Sequence, residues 1–141
     1  MKNRLFRITA GVAAVYHLIL GAGLLVLPTD AMGGIIRVFL GFGLEVSPEL
    51  SMIGKFAAAY LLAFGVMLGL LSIHPRRLQV LVIPALVLFG IRLANKLVFL
   101  TTIEEAFGVS RGRSIFAVAS LALIFGIMAW TRPMGEETRA S

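Results

Sequence analysis

Four runs of almost unbroken apolar residues dominate this chain: Ile8 to Leu27, Leu50 to Leu71, Leu78 to Leu100 and Ser114 to Trp130. Each is 17 to 23 residues long, and a helix rising about 1.5 Å per residue needs about 20 such residues to cross roughly 30 Å of hydrocarbon. A core helix of a water-soluble protein would be shorter and would keep a polar face, whereas the last run holds only Ser114 and Ser120 as polar residues. Strands fit poorly, because backbone groups in lipid must be satisfied inside a helix or a closed barrel. Composition agrees: 59% of the 141 residues are hydrophobic and 14% charged, with a mean hydropathy of +0.97, against about a quarter charged in a soluble domain. The length allows one compact unit. The prediction is an all-α integral membrane protein, a single four-transmembrane-helix bundle over residues 1–141 with a mobile cytoplasmic tail from 132 to 141. Soluble enzymes, secreted disulfide scaffolds and disordered tails are excluded, and the absence of cysteine removes disulfides, thiolate metal sites and cysteine nucleophiles.

Lys2, Arg4 and Arg7 give the first run the look of a secretory signal, and Thr29-Asp30-Ala31 loosely resembles a cleavage site. Its apolar stretch exceeds the roughly 7 to 15 residues of a signal core, and Tyr16 and His17 interrupt it, so it reads as a permanent helix. Lys and Arg in short loops set the orientation. With the N-terminus cytoplasmic, that side carries Lys2, Arg4, Arg7, Arg76, Arg77, Arg132 and Arg139, against Arg37, Arg111 and Arg113 on the other. Asp30, Glu45, Glu49, Glu104 and Glu105 then face outward. Both termini are therefore expected in the cytoplasm. The net charge of +6 is mostly this topology signal plus contact with anionic lipid headgroups. No patch interleaves bases with aromatics as nucleic-acid binding needs, so no nucleic-acid partner is expected.

The boundaries carry their own punctuation. Ser47-Pro48-Glu49 reads as N-cap, first-turn proline and dipole-matched carboxylate. His74-Pro75-Arg76-Arg77 makes a short turn between the second and third spans, and Thr131-Arg132-Pro133 ends the fourth. The connection from Pro28 to Ser47 holds Met32, Ile35, Ile36, Val38, Phe39, Leu40, Phe42 and Leu44. It is too apolar to move freely in water, and predicts a short interfacial helix from about Asp30 to Leu40, broken by Gly41 and Gly43. That segment is either a lid over an outward-facing cavity or an anchored loop. Thr102 to Phe107, with Gly108 as C-cap, predicts a second short amphipathic turn.

Lipid tails supply no hydrophobic drive between helices, so close contact relies on small residues. Gly65 and Gly69 form a GxxxG, and Gly90 with Ala94, Ala122 with Gly126, and Ala10 with Ala14 repeat the small-xxx-small pattern. These seams serve either packing within the bundle or association as a homo-oligomer. No internal repeat supports an inverted-repeat transporter.

Ionisable residues at depth are functional suspects by default, each costing about 2.5 to 3.5 kcal/mol on insertion scales. Here they are His17, Lys55, Arg92 and Lys96. From the helix rise, His17 and Tyr60 lie near the centres of the first and second spans, Arg92 roughly 4 to 5 Å outward of centre on the third, and Lys96 about 6 Å further out. Arg92 and Lys96, spaced i, i+4, share a face that Asn95 flanks. Three cations enter the outer half and no Asp or Glu lies inside a span. Their counter-charge is either an outer-loop glutamate, a lipid phosphate, or an anionic ligand or partner. On one reading Lys55 and Lys96 snorkel while Arg92 bonds carbonyls, Tyr60 or a loop glutamate. On the other, Arg92, Lys96, Lys55, Asn95, Tyr60 and His17 form a ligand-binding pocket for an anionic lipid or small anion.

His17 at mid-membrane and His74 beyond the inner end of the second span differ by about 20 Å along the normal, which argues against a bis-histidine haem. His17 then reads as an interhelical hydrogen-bonding group. No HExxH, GxSxG, P-loop or intramembrane carboxylate pair is present, so the sequence implies no catalytic constellation, metal or cofactor.

Arg7, Gly11, Gly21, Gly23 and Pro28 around the first span, the longish outer connection and the buried Arg92 in the third together resemble the DoxX-like small four-helix membrane proteins of bacteria. The resemblance covers the whole chain in outline and implies a bacterial inner membrane. Some members of that group are accessory subunits in respiratory quinol oxidation, and no residue here carries a redox role over. The expectation is a non-enzymatic membrane protein with an outer-half basic pocket. The alternatives are an accessory or structural subunit of a larger membrane complex, and a small transporter using His17 and Arg92.

Overall fold

The computed structural model describes residues 1–40 and 45–133. The predicted break at Gly41 and Gly43 and the tail beyond Pro133 lie outside them. Helices cover α1 (Lys2–Val26), α2 (Thr29–Leu40), α3 (Pro48–Ile73), α4 (Val82–Val98), α5 (Leu100–Phe107) and α6 (Arg111–Thr131), with one 3-10 turn at Gln79–Leu81 leading into α4. No strand occurs among the described residues. Among the described residues, four segments are long and apolar enough to cross a membrane: α1, α3, α6, and α4 together with its 3-10 turn. These helices indicate a multi-pass membrane protein.

The ends form for local reasons. Ser47 Oγ accepts the Leu50 amide at 3.2 Å, and Pro48, which has no N–H to satisfy, occupies the first turn of α3. At the other end the His74 amide returns to Leu70 O at 2.9 Å, and the buried Pro75 stops the helix there. α5 ends at Gly108, whose φ of 60° is left-handed, a conformation in which glycine carries no Cβ penalty.

Packing centres on α1, which runs against α3 along its length and meets α6, while α6 also meets α4. α3 and α4 touch only slightly, and the backbones of α1 and α4 stay apart. The α1/α3 seam is close because of glycine. A Cβ on Gly65 would lie 2.9 Å from Leu18 Cγ and 3.1 Å from its backbone nitrogen, and one on Gly21 would lie 3.1 Å from the nitrogen of Leu62. The GxxxG of α3 is thus an internal seam, and Ala10 and Ala14 of α1 are buried in the same contact region. A Cβ on Gly126 of α6, by contrast, would meet no atom of another element within 4 Å among the described residues.

Two clusters of buried side chains result. One joins Phe6, Leu68, Leu71, Phe89 and Met128; the other joins Leu20, Leu24 and Ala58 to Met32 and Ile36 of α2. α2 is therefore docked on the bundle through its apolar side. Thr29 Oγ1 donating to Ser51 Oγ at 3.1 Å and Tyr16 Oη donating to Phe39 O at 3.3 Å pin it to α3 and α1.

Candidate functional site

The buried residues of α4 are Val82, Ala85 and Phe89, a spacing of three and four that keeps one stripe toward the bundle. Continued by the same steps, that stripe reaches Arg92 and Lys96, both half-buried. The inward face of α4 thus changes from apolar to cationic over its last two turns.

Arg92 Nη1 bonds His17 Nε2 across the bundle, and His17 Nδ1 lies 2.6 Å from Ala13 O, one turn back on α1. Chemistry fixes the proton. A carbonyl only accepts, so Nδ1 must donate; a guanidinium only donates, so Nε2 must offer its lone pair. His17, only 3% exposed, is accordingly a neutral imidazole with both nitrogens committed. Its ring meets Tyr16, Phe64 and Phe89 edge to face, with centroids 5.3, 4.9 and 6.1 Å away. Phe64 and Phe89 also meet each other at 5.3 Å, closing an aromatic collar from three helices. Tyr16 carries the contact on to Phe39 of α2 at 5.5 Å.

The arrangement neutralises no charge. No carboxylate among the described residues bridges Arg92 or Lys96: Glu45, Glu49 and Glu105 are exposed, and the buried Oε1 of half-buried Glu104 has no hydrogen-bond partner. What the site offers is a guanidinium oriented by a neutral ring, with an ammonium one turn further along the same stripe.

Of the six residues singled out in the sequence, His17 and Arg92 are brought into contact and Lys96 follows on the same face. Lys55, Tyr60 and Asn95 are exposed, and Lys55 and Tyr60, five residues apart on α3, point about 140° from each other at about 100° per residue. Among the described residues, the partner of Arg92 is His17, and not Tyr60, a carbonyl or a loop glutamate. Sequence reasoning missed Tyr16, Phe39, Phe64 and Phe89 as the walls of the site. A signal existed for Phe89, which precedes Arg92 by one turn in the apolar stripe, and for Tyr16, the polar neighbour of His17. Comparison of this chain with protein-family models, with curated proteins and with solved structures finds no match.

Proposed function

We propose that this chain is a non-enzymatic membrane protein that holds an anionic group, the headgroup of an acidic lipid or a small anion, against Arg92 and Lys96. The observation that carries this reading is the pairing of Arg92 with a neutral imidazole. The guanidinium keeps its full charge on the inward face of α4, and no described carboxylate offsets it. A cation at such depth costs about 2.5 to 3.5 kcal/mol on insertion scales, and charge-assisted hydrogen bonds from an anion would offset that cost. His17 orients the guanidinium, and Lys96 adds a second positive charge.

The reading includes a bacterial inner membrane, as in the DoxX-like proteins that the chain resembles, with both termini cytoplasmic and Arg92 in the outer half. The distribution of Lys and Arg supports that orientation. It also includes α2 lying in the outer headgroup plane: Met32 and Ile36 are buried while Asp30 and Arg37 are exposed, the division an interfacial helix needs.

Native mass spectrometry of gently extracted protein, comparing wild type with Arg92→Gln, tests it. An anionic lipid or metabolite retained by the wild type and lost in the variant is the expected result. A bare wild-type chain, or a variant that carries the same kinds and number of adducts as wild type, overturns the reading.

One observation favours the accessory-subunit alternative. Tyr60, near the middle of α3, is 79% exposed and its hydroxyl has no partner among the described residues. A hydroxyl facing hydrocarbon is unfavourable, and a helix of a larger membrane complex would satisfy it. A polypeptide that copurifies with wild type and is lost in Tyr60→Phe would favour this alternative.

A further inference from the structure

A groove of about 810 Å³ runs along α1 at the end where that helix begins, remote from Arg92 in sequence and lined by none of its contacts. Its walls change character in one direction. Arg4 and Arg7 line the end nearest the chain start, Ile8, Val12 and Val15 follow along α1, and Ser72 of α3 stands beside them. From Arg4 to Val15 the helix rises about 16 Å, so a cationic end passes into an apolar channel over the length of a lipid headgroup and the upper part of its chain.

The cationic end is built. Arg7 Nε donates to Ser72 O at 2.9 Å, and Ser72 Oγ donates back to Arg7 O at 3.0 Å. This reciprocal pair ties α1 to the last turn of α3 and holds the Arg7 side chain in place through Nε alone. Its four terminal N–H donors have no partner among the described residues. Arg4 is exposed beside it. No carboxylate lines the groove, and Ile8, Val12 and Val15 are exposed along it. The position suits a molecule at the edge of the membrane, since these arginines stand at the start of a membrane-crossing helix.

We infer that this groove seats an anionic phospholipid, with its phosphate on Arg4 and Arg7 and one acyl chain along Ile8, Val12 and Val15. Paired guanidiniums match phosphate oxygens better than they match a zwitterionic headgroup, which brings its own cation. The shift from charge to apolar wall matches an amphiphile and not a soluble anion. The inference stands apart from the Arg92 site.

The test uses the full chain reconstituted in bilayers mixing phosphatidylglycerol with excess phosphatidylcholine, followed by native mass spectrometry of the lipids that stay bound. Wild type is expected to retain phosphatidylglycerol preferentially. Arg4→Gln should lower that retention about fivefold, the order expected per basic residue at an anionic surface, and Val12→Trp should lower it by filling the channel. Both residues are exposed, so circular dichroism and thermal unfolding should match wild type. The loss caused by Arg4→Gln should persist when Arg92→Gln is already present, which separates the two sites. Equal retention of both lipids by wild type, or retention unchanged in both groove variants, overturns the inference.

Discussion

The ring of His17 on α1 accepts a hydrogen bond from the guanidinium of Arg92 on α4, two helices whose backbones do not otherwise meet. The bond acts as a strut through the centre of the bundle. It also explains why a cation sits on the inward stripe of α4 at all: the lone pair of a neutral imidazole satisfies one donor, and the aromatic edges of Phe64 and Phe89 hold that imidazole upright.

His17→Leu should therefore destabilise the bundle more than the loss of a ring suggests. It removes the acceptor while leaving the guanidinium half-buried, and a lost hydrogen bond to a charged group costs about 1.5 to 3 kcal/mol. His17→Gln, which keeps an acceptor, should recover part of this, and adding Arg92→Met to His17→Leu should recover more. Thermal unfolding in detergent micelles reads all three. Equal stability of wild type and His17→Leu would show that the strut contributes nothing.

Much of this was legible in the sequence, and the reason for the remainder is physical. Span lengths are written in the apolar runs, and Ser47-Pro48 marks the start of α3 and Gly108 the end of α5 by backbone chemistry that does not depend on the fold. Position along a helix is likewise readable, because it follows from counting residues, and counting sets Arg92 and Lys96 one turn apart on α4. Azimuth is not. A soluble helix reveals its inward face by polarity, but α3 is apolar all round, so Tyr60 and Lys55 gave no sign that they face away from His17. Only α4, with Val82, Ala85 and Phe89 leading into Arg92, carries a periodic hint. The anchoring of α2 through Met32 and Ile36 follows from its apolar residues, whereas its bond from Tyr16 to a backbone carbonyl follows from no pattern.

The α1/α3 seam predicts an asymmetry between glycines. Gly65→Val should destabilise by about 1 to 3 kcal/mol, the usual cost of overpacking, because its Cβ meets both the side chain and the backbone nitrogen of Leu18. Gly126→Ala, with open space around it, should be neutral or slightly stabilising, since alanine is the better helix former. Unfolding midpoints in one detergent compare them directly. A destabilised Gly126→Ala would instead mark that face as a contact with another chain.

Ser114 supplies a prediction of opposite sign. Its Oγ is buried with no hydrogen-bond partner among the described residues, in the first turn of α6. Ser114→Ala removes an unsatisfied group and leaves a cavity of one atom, so stability should hold or rise by up to about 1 kcal/mol. A clear loss in the same unfolding assay would reveal that the hydroxyl has a partner, a water or a ligand, in the membrane-embedded protein.

Ser47 tests whether the start of α3 depends on its cap. The first amides of a helix have no carbonyl to pair with; Pro48 removes one of them by having no N–H, and Ser47 Oγ takes that of Leu50. Glu49 in the same turn favours the positive end of the helix but does not supply the lost acceptor. Ser47→Ala should then cost about 1 kcal/mol, concentrated at the helix start. Hydrogen exchange of peptides over residues 45–55 should accelerate there while the middle of α3 stays protected. Exchange at wild-type rates would mean that Pro48 and Glu49 hold the turn unaided.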